Sequence, residues 1–135
     1  MCGRTSLAVP PSTLEARFDA SAPSLEPRYN VAPGEDLAVV TAEDAGRIDL
    51  LTWGLVPGWV DDPAGFGARI NARAETVDEK PTFREAYRAR PCLVLADGFY
   101  EWRRLRGESQ PYRMTLDDGG PFAFAGVWER HPDVG

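Results

Sequence analysis

Histidine and cysteine are scarce in this sequence, and their scarcity excludes several kinds of site. The 135 residues contain two cysteines, Cys2 and Cys92, and one histidine, His131. Two cysteines and one histidine do not supply the ligand spacing of a metal site, and we predict no metal and no cofactor. They also exclude a disulfide framework, so we expect two free thiols. Cys92 lies in an apolar run, which is typical of an inert core residue.

A long hydrophobic run is also lacking. The first ten residues have no apolar segment of the kind that a signal peptide carries, and no later stretch is long enough to span a membrane. We therefore expect no membrane partner and a cytoplasmic location.

Lysine is nearly absent. Lys80 is the only one, and the other 14 of the 15 cationic residues are arginines, against 21 acidic residues and a net charge of −6. This charge argues against a general nucleic-acid binder, because phosphate contacts dominate such binding. A local patch of arginines, which bind phosphate in a bidentate way, stays compatible with the composition. A GC-rich or salt-adapted genome is the alternative explanation of the missing lysine.

Length and local patterns predict a single α+β domain. One short helix is expected to open at Pro11, with Ser12 and Glu15 as a capping box, and a second helix is expected to open with a capping box at residues 82–85. Residues 59–68 are predicted to form a surface loop, and hairpin turns are predicted at Gly107 and at residues 117–120, the latter between the strands at 112–116 and 122–127. Predicted strands cover residues 37–41, 47–56, 92–95, 99–103, 112–116 and 122–127. These short strands favour a curved, partly barrel-like antiparallel sheet with a few short helices.

Cys2 becomes chemically unusual once Met1 is removed, which commonly happens when a small residue follows the initiator methionine. Its α-amine and thiol, with reference pKa values of about 8 and about 8.5, are then attached to neighbouring carbons. The amine condenses with an aldehyde to an imine, and the thiol adds to the same carbon to close a five-membered thiazolidine ring. The open form of an abasic deoxyribose presents such an aldehyde. Position alone is weak support, because most cysteines at position 2 have no catalytic role.

Six segments, taken in order, carry a resemblance that covers nearly the whole chain. They are MCGR at residues 1–4, RYNVAPG at 28–34, WGLVPGW at 53–59, RINARAET at 69–76, FR at 83–84 and CLVLADGFYEW at 92–102. Their order and spacing closely resemble the SOS response-associated peptidase (SRAP) family, from residue 1 to about residue 128. Each segment is weak by itself, whereas the ordered set behind an N-terminal cysteine is highly specific.

The resemblance implies covalent chemistry on damaged DNA. Members of the family form thiazolidine crosslinks with abasic sites in single-stranded DNA and so shield these sites. By position, Cys2 matches the family nucleophile, Asn71 an asparagine that holds the reacting end and the sugar, and Glu101 the acid/base carboxylate. Imine formation expels water, which requires a proton donor and then an acceptor, and one carboxyl group can serve as both. Without the resemblance, Asn71 would be interpreted as a turn residue and Glu101 as an exposed strand carboxylate.

The resemblance also implies a DNA-contacting surface, in which two arginines lie near the phosphates of the lesion and three other residues meet stacked bases. Stacking on aromatic rings tolerates any base sequence, which suits a lesion sensor. Trp53 is instead predicted to lie in the core. The implied partner is single-stranded DNA with abasic sites, bound by a monomer that is nucleoid-associated when on DNA. The five implied contact residues are Arg4, Arg73, Asn30, Pro33 and Trp59.

The sequence departs from the family pattern after residue 129. Family members continue into a segment with a His-Asp-Arg-Met-Pro motif whose histidine lies in the active site, and the 135 residues contain no such motif. His131 lies in a different context, and we do not assign it that role. Two explanations stay open: residues 1–135 are a single SRAP-like domain that lacks its C-terminal part, or they are a natural short form. For a short form we expect poor stability and slower ring closure.

Two other functions stay open. A thiol peptidase, including one that cleaves only itself, requires a cysteine–histidine pair, and no histidine is convincingly placed for it. A non-covalent binder of single-stranded DNA would use Trp59 and the arginines without forming a bond.

Overall fold

The computed structural model describes residues 2–134, so the predicted removal of Met1 concerns a residue outside the described range. Within this range the chain forms eight strands and three short helices. In chain order they are β1 (Thr5–Leu7), α1 (Pro11–Phe18), β2 (Arg28–Val31), β3 (Asp36–Thr41), β4 (Asp49–Thr52), α2 (Pro63–Phe66), α3 (Arg84–Ala89), β5 (Pro91–Ala96), β6 (Gly98–Leu105), β7 (Glu108–Met114) and β8 (Phe122–Val127).

The strands form two sheets of four strands each. The first has the order β2-β1-β6-β7 and the second the order β4-β3-β5-β8. Every pairing between these strands is antiparallel. The predicted α+β class, with antiparallel sheet and a few short helices, is therefore confirmed. Among residues 2–134 the strands make two open sheets rather than one closed barrel.

The apolar strands β3 and β5 form the centre of the second sheet. Their sequences, DLAVVT and PCLVLA, are nearly continuous apolar runs, which is the pattern of a strand covered on both faces. Helix α1 places Leu14 on this centre, and only 1% of that side chain is exposed. The buried core cluster consists of Leu14, Ala20, Ala38, Val40, Ile48 and Leu95.

Three phenylalanines connect the two sheets. Phe99 belongs to β6 in the first sheet, whereas Phe122 and Phe124 lie on β8 in the second. The ring of Phe99 meets those of Phe122 and Phe124 edge to face, with centroids 6.4 Å and 5.7 Å apart. Such geometry is favourable for aromatic rings, because the positive edge of one faces the negative face of the other.

Asp97 lies between β5 and β6, where the chain passes from one sheet to the other. Its side chain is 3% exposed, and it accepts hydrogen bonds from Ser6 Oγ (2.6 Å) and from the backbone N–H of Ala8 (2.6 Å) and Val9 (3.1 Å). The guanidinium of Arg113 lies 3.0 Å away. Burial opposes ionisation, but the hydrogen bonds and the Arg113 charge hold the pKa of Asp97 below its usual range. The carboxylate therefore fastens β1 to the junction of the sheets.

The two predicted capping boxes do not form. Helix α1 has no side-chain cap and begins at Pro11, because the fixed φ of proline suits the first helical position. Glu15 instead accepts a hydrogen bond from the N–H of Ala22 at 3.1 Å, which fixes the chain after the helix. Helix α3 also lacks a side-chain cap.

The two predicted hairpin turns have opposite outcomes. Arg106 and Gly107 both have positive φ, 51° and 80°, and they join β6 to β7 as a two-residue hairpin turn. The predicted hairpin at residues 117–120 is wrong, because β7 pairs with β6 whereas β8 pairs with β5 in the other sheet. The chain therefore crosses between the sheets at this turn.

The β6–β7 hairpin carries an apolar surface that the described residues leave open. Every residue of β7 is exposed. The large apolar side chains of the hairpin are between 45% and 50% exposed, and we call them the hairpin surface: Trp102, Leu105, Tyr112 and Met114.

None of the helices in residues 2–134 is long and apolar enough to cross a membrane.

Candidate active site

Strand β1 brings the N-terminal cysteine next to β6. The register pairs Thr5 with Phe99, and the N–H of Tyr100 donates to the carbonyl oxygen of Arg4 at 3.0 Å. The chain before β1 therefore runs antiparallel to the part of β6 that contains Glu101. Cys2 and Glu101 lie close enough for the Glu101 carboxylate to raise the pKa of the Cys2 thiol through its charge.

Asn71 reaches Cys2 from a different part of the chain. Its Nδ2 donates a hydrogen bond of 2.7 Å to the Cys2 carbonyl oxygen. The position of Asn71 is set by the residues before it: Leu55 and Arg69 exchange two backbone hydrogen bonds, of 2.8 Å and 3.0 Å. The buried indole of Trp53 then donates to the carbonyl of Ile70 at 2.8 Å. Trp53 thus lies in the core, as predicted, and also holds the segment that presents Asn71.

The Cys2 thiol is half-buried and lies 3.3 Å from the Arg4 carbonyl oxygen. Burial raises the pKa of Cys2; a backbone hydrogen bond with Arg4 opposes this shift, and the Glu101 carboxylate adds to it. The net effect keeps the sulfur protonated near neutral pH. A reaction at this sulfur therefore needs a group that accepts its proton.

Arg4 and Asn30 meet beside the cysteine. The guanidinium of Arg4 donates to Asn30 Oδ1 at 3.1 Å. Strand β2, which contains Asn30, is held against β1 and is also bound by the Tyr100 hydroxyl, which donates to the carbonyl of Tyr29 at 2.6 Å. These contacts bring two of the five predicted DNA-contacting residues to the cysteine.

The other three predicted DNA-contacting residues lie on the surface. Pro33, Trp59 and Arg73 are all exposed, and within residues 2–134 no hydrogen bond joins their side chains to Cys2. The indole of Trp59 is 58% exposed and meets the ring of Phe66 edge to face at 6.3 Å. Residues 63–66, predicted as loop, form α2 and supply that neighbouring ring. Arg73 follows Asn71 by two residues.

The other cysteine, Cys92, and the histidine, His131, are both buried. Cys92 is 8% exposed, and burial raises its pKa to about 11, which agrees with an inert core thiol. His131 is 4% exposed, and its ring nitrogens contact the carbonyl of Val60 and the N–H of Asp133. In the described part of the chain, no group of His, Cys, Asp or Glu is arranged to hold a metal ion.

Two supporting residues were not predicted. The sequence placed Trp53 in the core without linking it to Asn71, and it gave no role to Asp97. One signal was available for Asp97, since an aspartate between two apolar strand segments has to be paired when it is buried. No local signal identifies Ile70 as the acceptor of the Trp53 indole, because that contact spans 17 residues.

Comparison with known proteins identifies the family. The protein-family model described as SOS response associated peptidase (SRAP) matches residues 1–134. The chain belongs to this family. The abasic site processing protein YoaM of Bacillus subtilis is 39% identical over 136 residues, which cover 96% of this chain and 60% of YoaM. The abasic site processing protein HMCES of Xenopus tropicalis is 29% identical over 140 residues, which cover 83% of this chain and 42% of HMCES.

Solved structures share this fold. A crystal structure of a protein from Bacteroides thetaiotaomicron has a TM-score of 0.85 at 26% identity, covering 96% of this chain and 61% of that chain. A protein from Bordetella bronchiseptica has a TM-score of 0.81 at 26% identity, covering 98% of this chain and 66% of that chain. This SRAP chain spans about 60% of the length of the Bacillus subtilis relatives YoaM and YoqW.

Proposed function

We propose that this SRAP chain crosslinks covalently to abasic sites in single-stranded DNA through Cys2, once Met1 has been removed. The observation that carries the proposal is the convergence of Asn71 and Glu101 on Cys2, from positions far apart in the sequence. The names of its relatives, abasic site processing proteins, point in the same direction. The chemistry needs no metal or cofactor, and the acting species is a monomer in the DNA damage response.

The first step joins the α-amine of Cys2 to C1′ of the open sugar. The unprotonated amine, whose reference pKa is about 8, attacks the aldehyde carbon and gives a carbinolamine. Loss of water from the carbinolamine leaves a protonated imine, which keeps its N–H. The departing hydroxyl takes up a proton, and we assign Glu101 as its donor because this carboxyl group lies beside Cys2.

The second step closes the ring. The thiol gives its proton to the Glu101 carboxylate, the sulfur forms a bond to the carbon of the protonated imine, and the C=N π electrons move to the nitrogen, which keeps its proton. The overall reaction consumes one aldehyde and releases one water. The thiol has to lose its proton to form this bond, and we assign the Glu101 carboxylate as the base that accepts it.

Asn71 supports both steps through the backbone. Its hydrogen bond to the Cys2 carbonyl fixes the rotation of that residue, so that amine and thiol stay directed at one carbon. Holding reacting groups in place removes an entropy cost from ring closure. We assign Asn71 to this orienting role and to a contact with the sugar.

The DNA contacts complete the proposal. Arg4 and Arg73 bind phosphates next to the lesion, and Asn30, Pro33 and Trp59 receive the neighbouring bases. A net charge of −6 weakens general affinity for DNA. A covalent product relieves the need for tight reversible binding, so the few contacts suffice.

A denaturing gel tests the proposal. The protein is mixed with a single-stranded oligonucleotide that carries one abasic site, and the expected result is a band that survives denaturation. The matched DNA control carries a tetrahydrofuran residue, which has the same shape without an aldehyde. The matched protein control is Cys2→Ser, which keeps the amine and loses the sulfur.

The other outcomes of this gel identify the rival functions. Reversible binding of single-stranded DNA without a covalent band contradicts the proposal and favours a non-covalent binder. Cleavage of added peptides that depends on Cys2, without crosslinking, favours a thiol peptidase. That rival has less support, because the ring nitrogens of His131 are engaged with Val60 and Asp133.

A further inference from the structure

His131 is buried although the chain around it is exposed. Its side chain is 4% exposed, whereas Arg130, Pro132 and Asp133 are all exposed. Nδ1 lies 3.1 Å from the N–H of Asp133, which can only donate, so Nδ1 accepts. The proton of the neutral ring therefore sits on Nε2, which donates to the carbonyl oxygen of Val60 at 2.5 Å.

Val60 directly follows Trp59, whose indole is exposed. The N–H of Val60 donates to the carbonyl of Pro57 at 3.1 Å, so residues 57–60 form a tight turn with Trp59 inside it. The same turn lies close to the His131 segment at a second point, since a methyl group added at Gly58 would lie 3.0 Å from the carbonyl oxygen of Arg130. We call residues 57–60 the Trp59 turn.

The segment that holds the Trp59 turn is itself anchored to the body of the fold. Arg90, at the end of α3, pairs with the carboxylate of Glu129 at 3.1 Å. Its Nε also donates to the carbonyl of Trp128 at 3.1 Å, and its own carbonyl accepts from the N–H of Trp128. A continuous set of contacts therefore runs from α3 through residues 128–131 to the Trp59 turn.

We propose that His131 is a positioning residue for DNA binding, which holds the Trp59 turn so that the indole is presented to a base beside the lesion. This role rests on the proposed function, because it requires that Trp59 contacts DNA. An indole on a fixed turn binds a base without first being ordered, whereas a loose turn loses conformational freedom on binding. His131 acts through the Val60 carbonyl and takes no part in the bond-forming steps.

Single-turnover crosslinking at increasing protein concentration tests this role, since it separates the half-saturating concentration from the maximum rate. His131→Ala should raise the half-saturating concentration about fivefold, which is the lower end of what one stacked base contributes, and leave the maximum rate within about twofold. His131→Gln should restore most of the loss, because its amide can donate to the Val60 carbonyl. Ile48→Val is the control for general destabilisation, since Ile48 is a core residue outside this segment.

A double-mutant cycle with Trp59 makes the test specific. If His131 acts by holding Trp59, then His131→Ala has no further effect on half-saturation in a Trp59→Ala background. Equal effects with and without Trp59, or an unchanged half-saturating concentration in His131→Ala, would overturn the role. The unsubstituted protein is measured first, because failure to crosslink at all contradicts the proposed function and the positioning role with it. Normal crosslinking with an unaffected His131→Ala contradicts only the positioning role.

Discussion

At the residue scale, the reactivity of Cys2 depends on where the proton of its thiol goes. Burial raises the pKa of that thiol, and the Glu101 carboxylate adds to the rise. A sulfur held in this way is a poor nucleophile alone and a good one when the neighbouring carboxylate takes its proton. Glu101 would therefore have two opposing effects under the proposed mechanism, since it disfavours the free thiolate and serves as the base for ring closure.

Replacing Glu101 separates these two effects. In Glu101→Gln the negative charge is gone, so the pKa of Cys2 should fall and its alkylation by iodoacetamide near neutral pH should become faster. Crosslinking to abasic DNA should nevertheless slow by about 100-fold, because the acid/base group is lost. The pH dependence of alkylation and the crosslinking rate are the two measurements.

The control for this substitution is Glu43→Gln, which removes an exposed carboxylate of a turn. It should leave both measurements unchanged. Cys92 contributes little alkylation, because it is buried and its pKa is raised to about 11. Faster alkylation together with an undiminished crosslinking rate in Glu101→Gln would remove Glu101 from the mechanism.

At the scale of elements, strand β1 follows the proposed nucleophile, Cys2, and is held by its pairing with β2 and β6 and by the Ser6–Asp97 hydrogen bond. Because the pKa of Asp97 is lowered in the folded protein, its contribution to stability is present above the unfolded pKa, about 3.9, and is lost as the pH falls through the lower folded value. Asp97→Asn should therefore reduce the free energy of unfolding at neutral pH by about 2 kcal/mol. The difference from the unsubstituted protein should shrink below about pH 4.

Urea denaturation at a series of pH values checks the Asp97 prediction. A comparison variant is Asp118→Asn, because that exposed carboxylate accepts a hydrogen bond only from Gly120 in its own turn. Its effect on the free energy of unfolding should be small throughout. A pH-independent loss in Asp97→Asn would contradict the assignment of an ionised, paired carboxylate.

Two leucines, one in β5 and one in β6, should also differ in their contribution to stability. Leu95 is 2% exposed in the core, whereas Leu105 is 47% exposed on the hairpin surface. Leu95→Ala should cost about 3 kcal/mol of unfolding free energy, and Leu105→Ala less than about 1 kcal/mol. The same chemical change at both sites makes the comparison direct. A large loss at Leu105 would indicate that the hairpin surface is covered in solution.

At the scale of the whole molecule, the sequence predicted the family and the fold class but not the arrangement of strands. The SRAP-like segments predicted Cys2, Asn71 and Glu101 as site residues. In the fold, Asn71 donates a hydrogen bond to the Cys2 carbonyl, and the Glu101 carboxylate raises the pKa of the Cys2 thiol. The short strands β1 and β2 were not predicted, because three or four residues are too few for an alternating pattern to stand out.

The pairing of β8 shows what local signals cannot give. Its turn residues, 117–120, look like those of a hairpin, but β8 pairs with β5, which lies on the other side of β6 and β7 in the sequence. Tertiary packing of Phe122 and Phe124 on Phe99 stabilises that arrangement. The hydrogen bond from Trp53 to the segment of Asn71 is also non-local. Contacts between distant segments therefore decide how the predicted residues meet.

The most direct test of the account is the intact mass of the product formed with abasic single-stranded DNA, combined with a thiol assay of that product. Thiazolidine formation at Cys2 predicts a product with the mass of the chain without Met1 plus the DNA minus one water. In this product the thiol of Cys2 is no longer open to alkylation. A product that retains Met1, or one that keeps a free Cys2 thiol and so is an open imine, would contradict thiazolidine formation at the N-terminal cysteine.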